Sequence, residues 1–201
     1  MFKANKYDKI YQNRESEISF LLNNLEGRTI LDIGGGTGII SEVLNKKGFV
    51  CRNVEPQAEM AYISAQRGVR TICCNAEGMN KYVNGNYDNA IMVFDVFNFL
   101  EDPTKVLDNI SKILKGKLIF RYWNKDIKES GWKIDWKLKR LSNKKWIDNK
   151  IEIKFWFPFW YEKHIMTVYS DNVIEDMLKS TGFKILNRIK NKYTTTIVAK
   201  I

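Results

Sequence analysis

Five residues, Gly34-Gly35-Gly36-Thr37-Gly38, constrain this chain more than any other stretch of its 201. They follow a short apolar run, Thr29 to Ile33 (TILDI), and precede Gly38 to Lys47 (GIISEVLNKK), which has the spacing of a helix ended by Gly48. Strand, tight glycine turn and helix in that order let a backbone approach a ligand closely and point the unpaired N–H groups of the helix start at it. Gly36, Thr37, Gly38, Ile39, Ile40 and Ser41 come within one hydroxymethyl group of the dinucleotide pattern G-x-G-x-x-G/A, which is a weak signal when it stands alone.

The same rhythm continues downstream. Phe49 to Val54, Val69 to Cys73, the almost wholly apolar Asp88 to Phe94 and Lys117 to Tyr122 read as strands. Gln57 to Gln66 and Asp102 to Leu114 read as helices between them, and Tyr7 to Leu25 as an amphipathic helix ahead of the first strand. Alternation of this kind predicts a doubly wound, mostly parallel α/β sheet. From residue 131 to 169 the pattern changes to alternation, with Ile151, Ile153, Phe155 and Phe157 set against Glu152, Lys154 and Trp156, which predicts an antiparallel β flap inserted after the fifth strand. A helix from Asn172 to Lys179 behind a capping Ser170, then strands Phe183 to Arg188 and Thr194 to Lys200, complete an α/β fold with a C-terminal antiparallel pair. We expect one domain over 1–201, with 1–28 as a helix over the cofactor and 125–169 as the flap.

Two acidic residues fix what the turn holds. Asp32 lies two residues before Gly34, and Glu55 ends the second strand, where a carboxylate can accept both hydroxyls of a ribose. On Asp32, Gly34, Gly36 and Gly38, with Gly35 inside the turn, the sequence resembles the class I S-adenosylmethionine-dependent methyltransferases, whose first motif is an acidic residue followed by G-x-G-x-G. The resemblance implies a Rossmann-like fold and S-adenosylmethionine as cofactor. It implies Glu55 as the ribose carboxylate, Pro56 and Met60 beside the adenine, Asn75, Ala76 and Glu77 at the adenine edge, and Phe94 at the methyl end. A dinucleotide site is the competing reading, and too little regular α/β chain follows to build its second half.

The flap resembles that of small-molecule methyltransferases, particularly N,N-dimethyltransferases of nucleotide-linked amino sugars. Lys163-His164-Ile165-Met166-Thr167-Val168-Tyr169 looks like one of their strands, and Tyr7-Asp8-x-x-Tyr11 like their opening helix. His164, the only histidine, is read either as a general base or as a hydrogen-bonded structural residue. Tyr7 joins it as a catalytic candidate or fills a helix face, and Tyr11 is placed on the cofactor. Asn98, Arg121 and Trp123 are the expected substrate wall. The run Phe94-Asp95-Val96-Phe97-Asn98 lacks the Asn/Asp-Pro-Pro-aromatic motif of base amino-methyltransferases, and no Pro-Cys nucleophile is present, which argues against adenine-N6 and cytosine-C5 methylation.

Charge bears on the acceptor. Of the formal +10, residues 1–120 hold 15 basic against 14 acidic groups, whereas 121–163 hold 12 against 6 together with all six tryptophans. A basic, aromatic segment suits a phosphorylated or otherwise anionic small molecule, and it equally suits an RNA backbone and stacked bases. A third reading keeps the fold as a non-catalytic cofactor-binding module. Three cysteines with no histidine at zinc spacing predict no metal site and reduced, buried thiols. No apolar run approaches the roughly 20 residues of a membrane span, so a cytoplasmic protein without a membrane partner is expected. A homodimer is left open.

Overall fold

A computed structural model describes residue 8 and residues 14–124, 142–157 and 160–201, with the backbone alone for 142–144, 146, 153–157 and 160–164. Among the described residues there are five helices and ten strands, the strands building one seven-stranded sheet and one three-stranded sheet. Helix α1 (Glu15–Asn24) leads into β1 (Thr29–Ile33), α2 (Ile39–Lys46), β2 (Val50–Val54), α3 (Ala58–Gln66) and β3 (Arg70–Ile72). A 3-10 turn (Ala76–Lys81) precedes β4 (Tyr87–Met92), and another (Val96–Phe99) precedes α4 (Pro103–Ser111) and β5 (Leu114–Trp123). Strands β6 (Ser142–Ile147), β7 (Lys150–Phe157) and β8 (Trp160–Thr167) follow, then α5 (Asp171–Ser180), β9 (Lys184–Lys190) and β10 (Thr194–Lys200).

The large sheet has the order β3-β2-β1-β4-β5-β10-β9. Strands β1 to β5 pair in parallel, and β10 is antiparallel to both β5 and β9. Because successive side chains leave a strand on opposite faces, neighbours such as Ile30 and Leu31, Ile91 and Met92, or Ile119 and Phe120 feed two separate apolar layers. One layer joins Ile30, Ile91 and Ile119 to Leu21, Ile40 and Leu44 of α1 and α2. The other joins Leu31, Met92 and Phe120 to Leu107 and Ile110 of α4 and Ile174 and Leu178 of α5. Burial on both faces explains why these strands read as continuous apolar runs.

The antiparallel flap forms the second sheet, β6-β7-β8, with Ile147 opposite Lys150 at one end and Phe157 opposite Trp160 at the other. Three expectations need correction. Strand β4 stops at Met92, because Phe94 and Asp95 take left-handed backbone angles, φ 54° and 67°. Strand β5 runs on to Trp123, since β10 pairs with it from Lys117 through Trp123, so Arg121 and Trp123 stand within the strand. Ser170 precedes α5 without a side-chain capping bond, whereas Asp102 caps α4 by accepting from the Lys105 N–H at 3.0 Å. Of the thiols, Cys51 is buried as expected, and Cys73 is exposed.

Candidate functional site

Sheet order determines where a ligand can sit. Strand β1 lies between β2 and β4, so the glycine turn at its carboxyl end is flanked by Glu55 on one side and by Phe94 and Asp95 on the other. This is the edge at which open α/β sheets bind ligands.

The turn is assembled from its neighbours' side chains. Asn53 of β2, fully buried, accepts from the Gly35 N–H at 3.0 Å and donates to the Gly36 carbonyl at 3.2 Å and to Ser64 Oγ at 2.9 Å. Glu55 accepts from the Gly36 N–H through Oε2 at 3.0 Å and from the Gln57 N–H through Oε1 at 2.9 Å. At Gly38, with φ 76°, an added Cβ would stand 2.3 Å from Ser64 Oγ; at Gly35 it would stand 2.4 Å from Asn53 Oδ1 and 2.6 Å from Asp32 Oδ2. Those glycines are therefore demanded by the packing of the turn itself.

A ligand is indicated by the polar groups left over. Asp32 is fully buried, and its Oδ2 accepts from the Ser41 hydroxyl at 2.7 Å, while Oδ1 has no hydrogen-bond partner among the described residues. Burial pushes the Asp32 carboxyl up to about 6, against the Ser41 hydrogen bond and with help from the charge of Glu55. Burial also raises the Glu55 carboxyl, opposed by its two backbone hydrogen bonds. An opening above the turn is lined by Arg14, Asp32, Gly34, Thr37 and Phe94. A buried acceptor and an arginine lining one opening at a glycine cradle are complementary to an amino-acid zwitterion, and Glu55 beyond them suits a diol; both parts belong to S-adenosylmethionine. The residues present fit that cofactor.

The remaining expected positions divide into two groups. Met60 and Ala76 are buried and Pro56 is exposed beside them, its carbonyl accepting from Cys73 Sγ at 3.8 Å. Asn75 accepts from the Gly78 N–H at 3.1 Å and so starts the first 3-10 turn, and Glu77 accepts from the Glu101 N–H at 3.0 Å, bracing the approach to α4. Asn98, 1% exposed, donates to the Thr167 carbonyl at 2.5 Å and accepts from the Trp123 N–H at 2.9 Å, tying β5 to the end of β8. Arg121 donates to Glu17 of α1 at 2.9 Å and to Asp95 at 3.3 Å, and its guanidinium carbon lies 5.8 Å from the centre of the Phe94 ring. The structure thus brings Asp32, Gly34, Gly35, Gly36, Gly38, Glu55, Phe94, Arg121 and Trp123 to one edge of the sheet. Tyr7 and Tyr11 lie outside the described residues, as does the side chain of His164, whose backbone in β8 pairs with Ile153 of β7.

Sequence reading missed Asn53, although a polar residue on the inward register of Cys51, two residues before Glu55, was a usable signal. It also missed Arg14 and a half-buried cluster around Asp8. Asp8 accepts from Thr37 Oγ1 and from Arg67, both at 2.6 Å, and Arg67 also donates to Glu42 at 3.0 Å. Asp8 is thereby tied to Thr37 of the glycine turn. Among the described residues no group of three or more acidic, histidine or cysteine side chains could hold a metal, and no helix is long and apolar enough to cross a membrane.

Similarity to known proteins agrees with this geometry. A profile of the methyltransferase domain family matches residues 7–187. The ubiquinone biosynthesis O-methyltransferase of Coxiella burnetii is 25% identical over 112 residues, 52% of this chain. The chain spans about half the length of the curated relatives it matches, 47% of that protein. Among solved structures, an S-adenosylmethionine-dependent methyltransferase from Clostridium acetobutylicum superposes with a TM-score of 0.74 at 20% identity, covering 98% of both chains. An amino pentose methyltransferase from Micromonospora echinaspora, involved in calicheamicin biosynthesis, gives 0.69 at 13% identity over 96% of this chain and 95% of its own. With the profile matched across most of its length and this architecture, the chain belongs to the methyltransferase domain family and has the class I, Rossmann-like fold.

Proposed function

We propose that the protein transfers a methyl group from S-adenosylmethionine to a nitrogen or oxygen of a small, phosphorylated or nucleotide-linked molecule. The observation that carries the cofactor assignment is the buried Asp32 Oδ1, which has no hydrogen-bond partner among the described residues and lines the same opening as Arg14 above the glycine turn. Asp32 and Arg14 hold the amino-acid end, Glu55 accepts from the ribose hydroxyls, and Pro56, Met60 and residues Asn75 to Glu77 border the adenine. The cofactor supplies a methyl group already activated on a sulfonium, so the protein's work is to position the acceptor and exclude water. Phe94, Arg121 and Trp123 form the wall on that side, with Asn98 holding the wall in place. The chain 1–201 acts as one domain in which 1–28 covers the cofactor and Tyr11 contacts it, while the flap 125–169 brings His164 and the acceptor together and Tyr7 closes the site. The small-molecule acceptor is favoured by the O-methyltransferase and amino pentose methyltransferase named among its relatives.

Incubation with methyl-labelled S-adenosylmethionine and a cell extract split into RNA, protein and small-molecule fractions tests this reading, which expects label in the last fraction. Label in RNA, with binding that weakens steeply as salt rises, would move the acceptor to nucleic acid. Glu55→Ala is expected to weaken calorimetric binding of S-adenosylmethionine about tenfold or more, as for loss of a hydrogen bond to a charged group. Unchanged turnover in His164→Gln would remove that residue as a base.

A further inference from the structure

At the carboxyl end of β4, Phe94 and Asp95 are consecutive non-glycine residues with left-handed backbone angles. Such residues persist only where their surroundings enforce the conformation. The surroundings here are specific. Arg121 bridges Asp95 to Glu17 of α1, the Trp123 indole N–H also bonds the Asp95 carboxylate, and the Asp95 carbonyl accepts from the Asn98 N–H at 3.0 Å. Val96 packs against Gly34 so closely that an added Cβ there would stand 2.6 Å away, which puts this bend directly on the glycine turn. Asp95 therefore lies across β1 from Glu55, at the end of the cradle away from the ribose side.

We infer that Asp95 is the carboxylate at the methyl end of the site, facing the sulfonium charge and taking the proton that the acceptor gives up. The assignment rests on the methyltransferase reading above. The acceptor's N or O lone pair forms the new bond to the methyl carbon, the carbon–sulfur bond breaks with its electron pair kept by sulfur, and the acceptor's proton passes to Asp95 and then to water. The charged groups around Asp95 are Arg121 from β5, Glu17 from α1 behind that guanidinium, and Arg14, 6.0 Å from the centre of the Phe94 ring. Burial raises the Asp95 carboxyl above the ordinary aspartate value despite Arg121 and the hydrogen bonds from Trp123 and Arg121, so it is a better proton acceptor than a free carboxylate.

S-adenosylmethionine and S-adenosylhomocysteine differ by the methyl group and the positive charge on sulfur, so their relative affinities report a charge at this end alone. Calorimetry is expected to show Asp95→Asn weakening S-adenosylmethionine about fivefold or more while S-adenosylhomocysteine changes by less than about twofold. In the wild-type protein the preference for S-adenosylmethionine should fall as Asp95 is protonated on acidification; if Asp95→Asn fails to fold, this pH series decides alone. Asp32 and Glu55 face parts common to both ligands and cancel from the ratio. With the small-molecule extract fraction as acceptor, Asp95→Asn should lower label incorporation about 100-fold. Equal losses for both ligands, a ratio indifferent to pH, or undiminished incorporation would overturn the assignment. Wild-type protein that binds neither ligand would instead overturn the methyltransferase reading, and the assignment with it.

Discussion

The two sides of the glycine turn hold their carboxylates in opposite ways. Toward β2, Asp32 and Glu55 are bonded to neutral donors only: a serine hydroxyl and the backbone N–H groups of Gly36 and Gln57. Toward β5, Asp95 and Glu17 share one guanidinium, Arg121. A carboxylate held by neutral donors keeps its charge uncompensated and its desolvation cost high, which shows in the elevated Asp32 carboxyl. A carboxylate held by an arginine is partly neutralised but fixed in direction, since the planar guanidinium dictates where its partners lie. Under the proposed function the β2 side is the donor side, suited to affinity for a charged ligand, and the β5 side the acceptor side, suited to placement.

The largest effect expected on this contrast comes from the turn that separates the sides. Gly38→Ala places a Cβ against Ser64 in left-handed backbone, and should cost about 1–3 kcal/mol of stability through overpacking alone. Thermal melting and calorimetry together should show a lowered melting temperature and no measurable S-adenosylmethionine binding, and a normal titration would break the picture of a rigid cradle. Next in size is the pH response of Asp32. Its folded carboxyl stands at about 6 against 3.8 for the unfolded chain, so the folded state keeps a proton the unfolded state has lost. Stability from this group is complete below 3.8, falls as pH rises toward about 6, and is level above, a loss of about 3 kcal/mol. Asp32→Asn removes that slope, so denaturant titrations at several pH values should show the variant gaining on wild type across the window. Parallel curves would mean the two sides do not differ in uncompensated charge. The smallest effect is Arg121→Gln, which releases two partly exposed ion pairs and should cost about 1 kcal/mol. It should nonetheless disturb acceptor turnover more than cofactor affinity; the reverse would erase the division of labour.

Much of the donor side was legible in sequence because its information is local. TILDI followed by GGGTG encodes a strand, a turn with positive φ and a helix start within fifteen residues of chain. Glu55 could be placed because a strand ends there. The acceptor side was not legible, for two physical reasons. Hydrophobicity marks burial and is silent about φ, so the apolar run through Phe94 was read as strand up to the residue where the backbone turns over. Its decisive contacts are also distant in sequence: Arg121 meets Glu17 across 104 positions and Asp95 across 26. No periodicity carries such pairings. Nor does spacing reveal that Asn98 and Glu77 are engaged with backbone groups, because the same side chains would suit ligand or main chain equally.

Strand β10 lies between β5 and β9, and β9 bonds to nothing else in the large sheet. During synthesis β9 emerges before its only neighbour, while β5 presents an open edge carrying Leu118, Phe120 and Tyr122. The parallel half can close around the glycine turn early, yet the nascent chain carries an unpaired, adhesive strand edge until residues 194–200 arrive, the kind of edge that invites aggregation. Chaperone demand and misassembly should thus concentrate on the side of the sheet that carries Arg121 and Trp123.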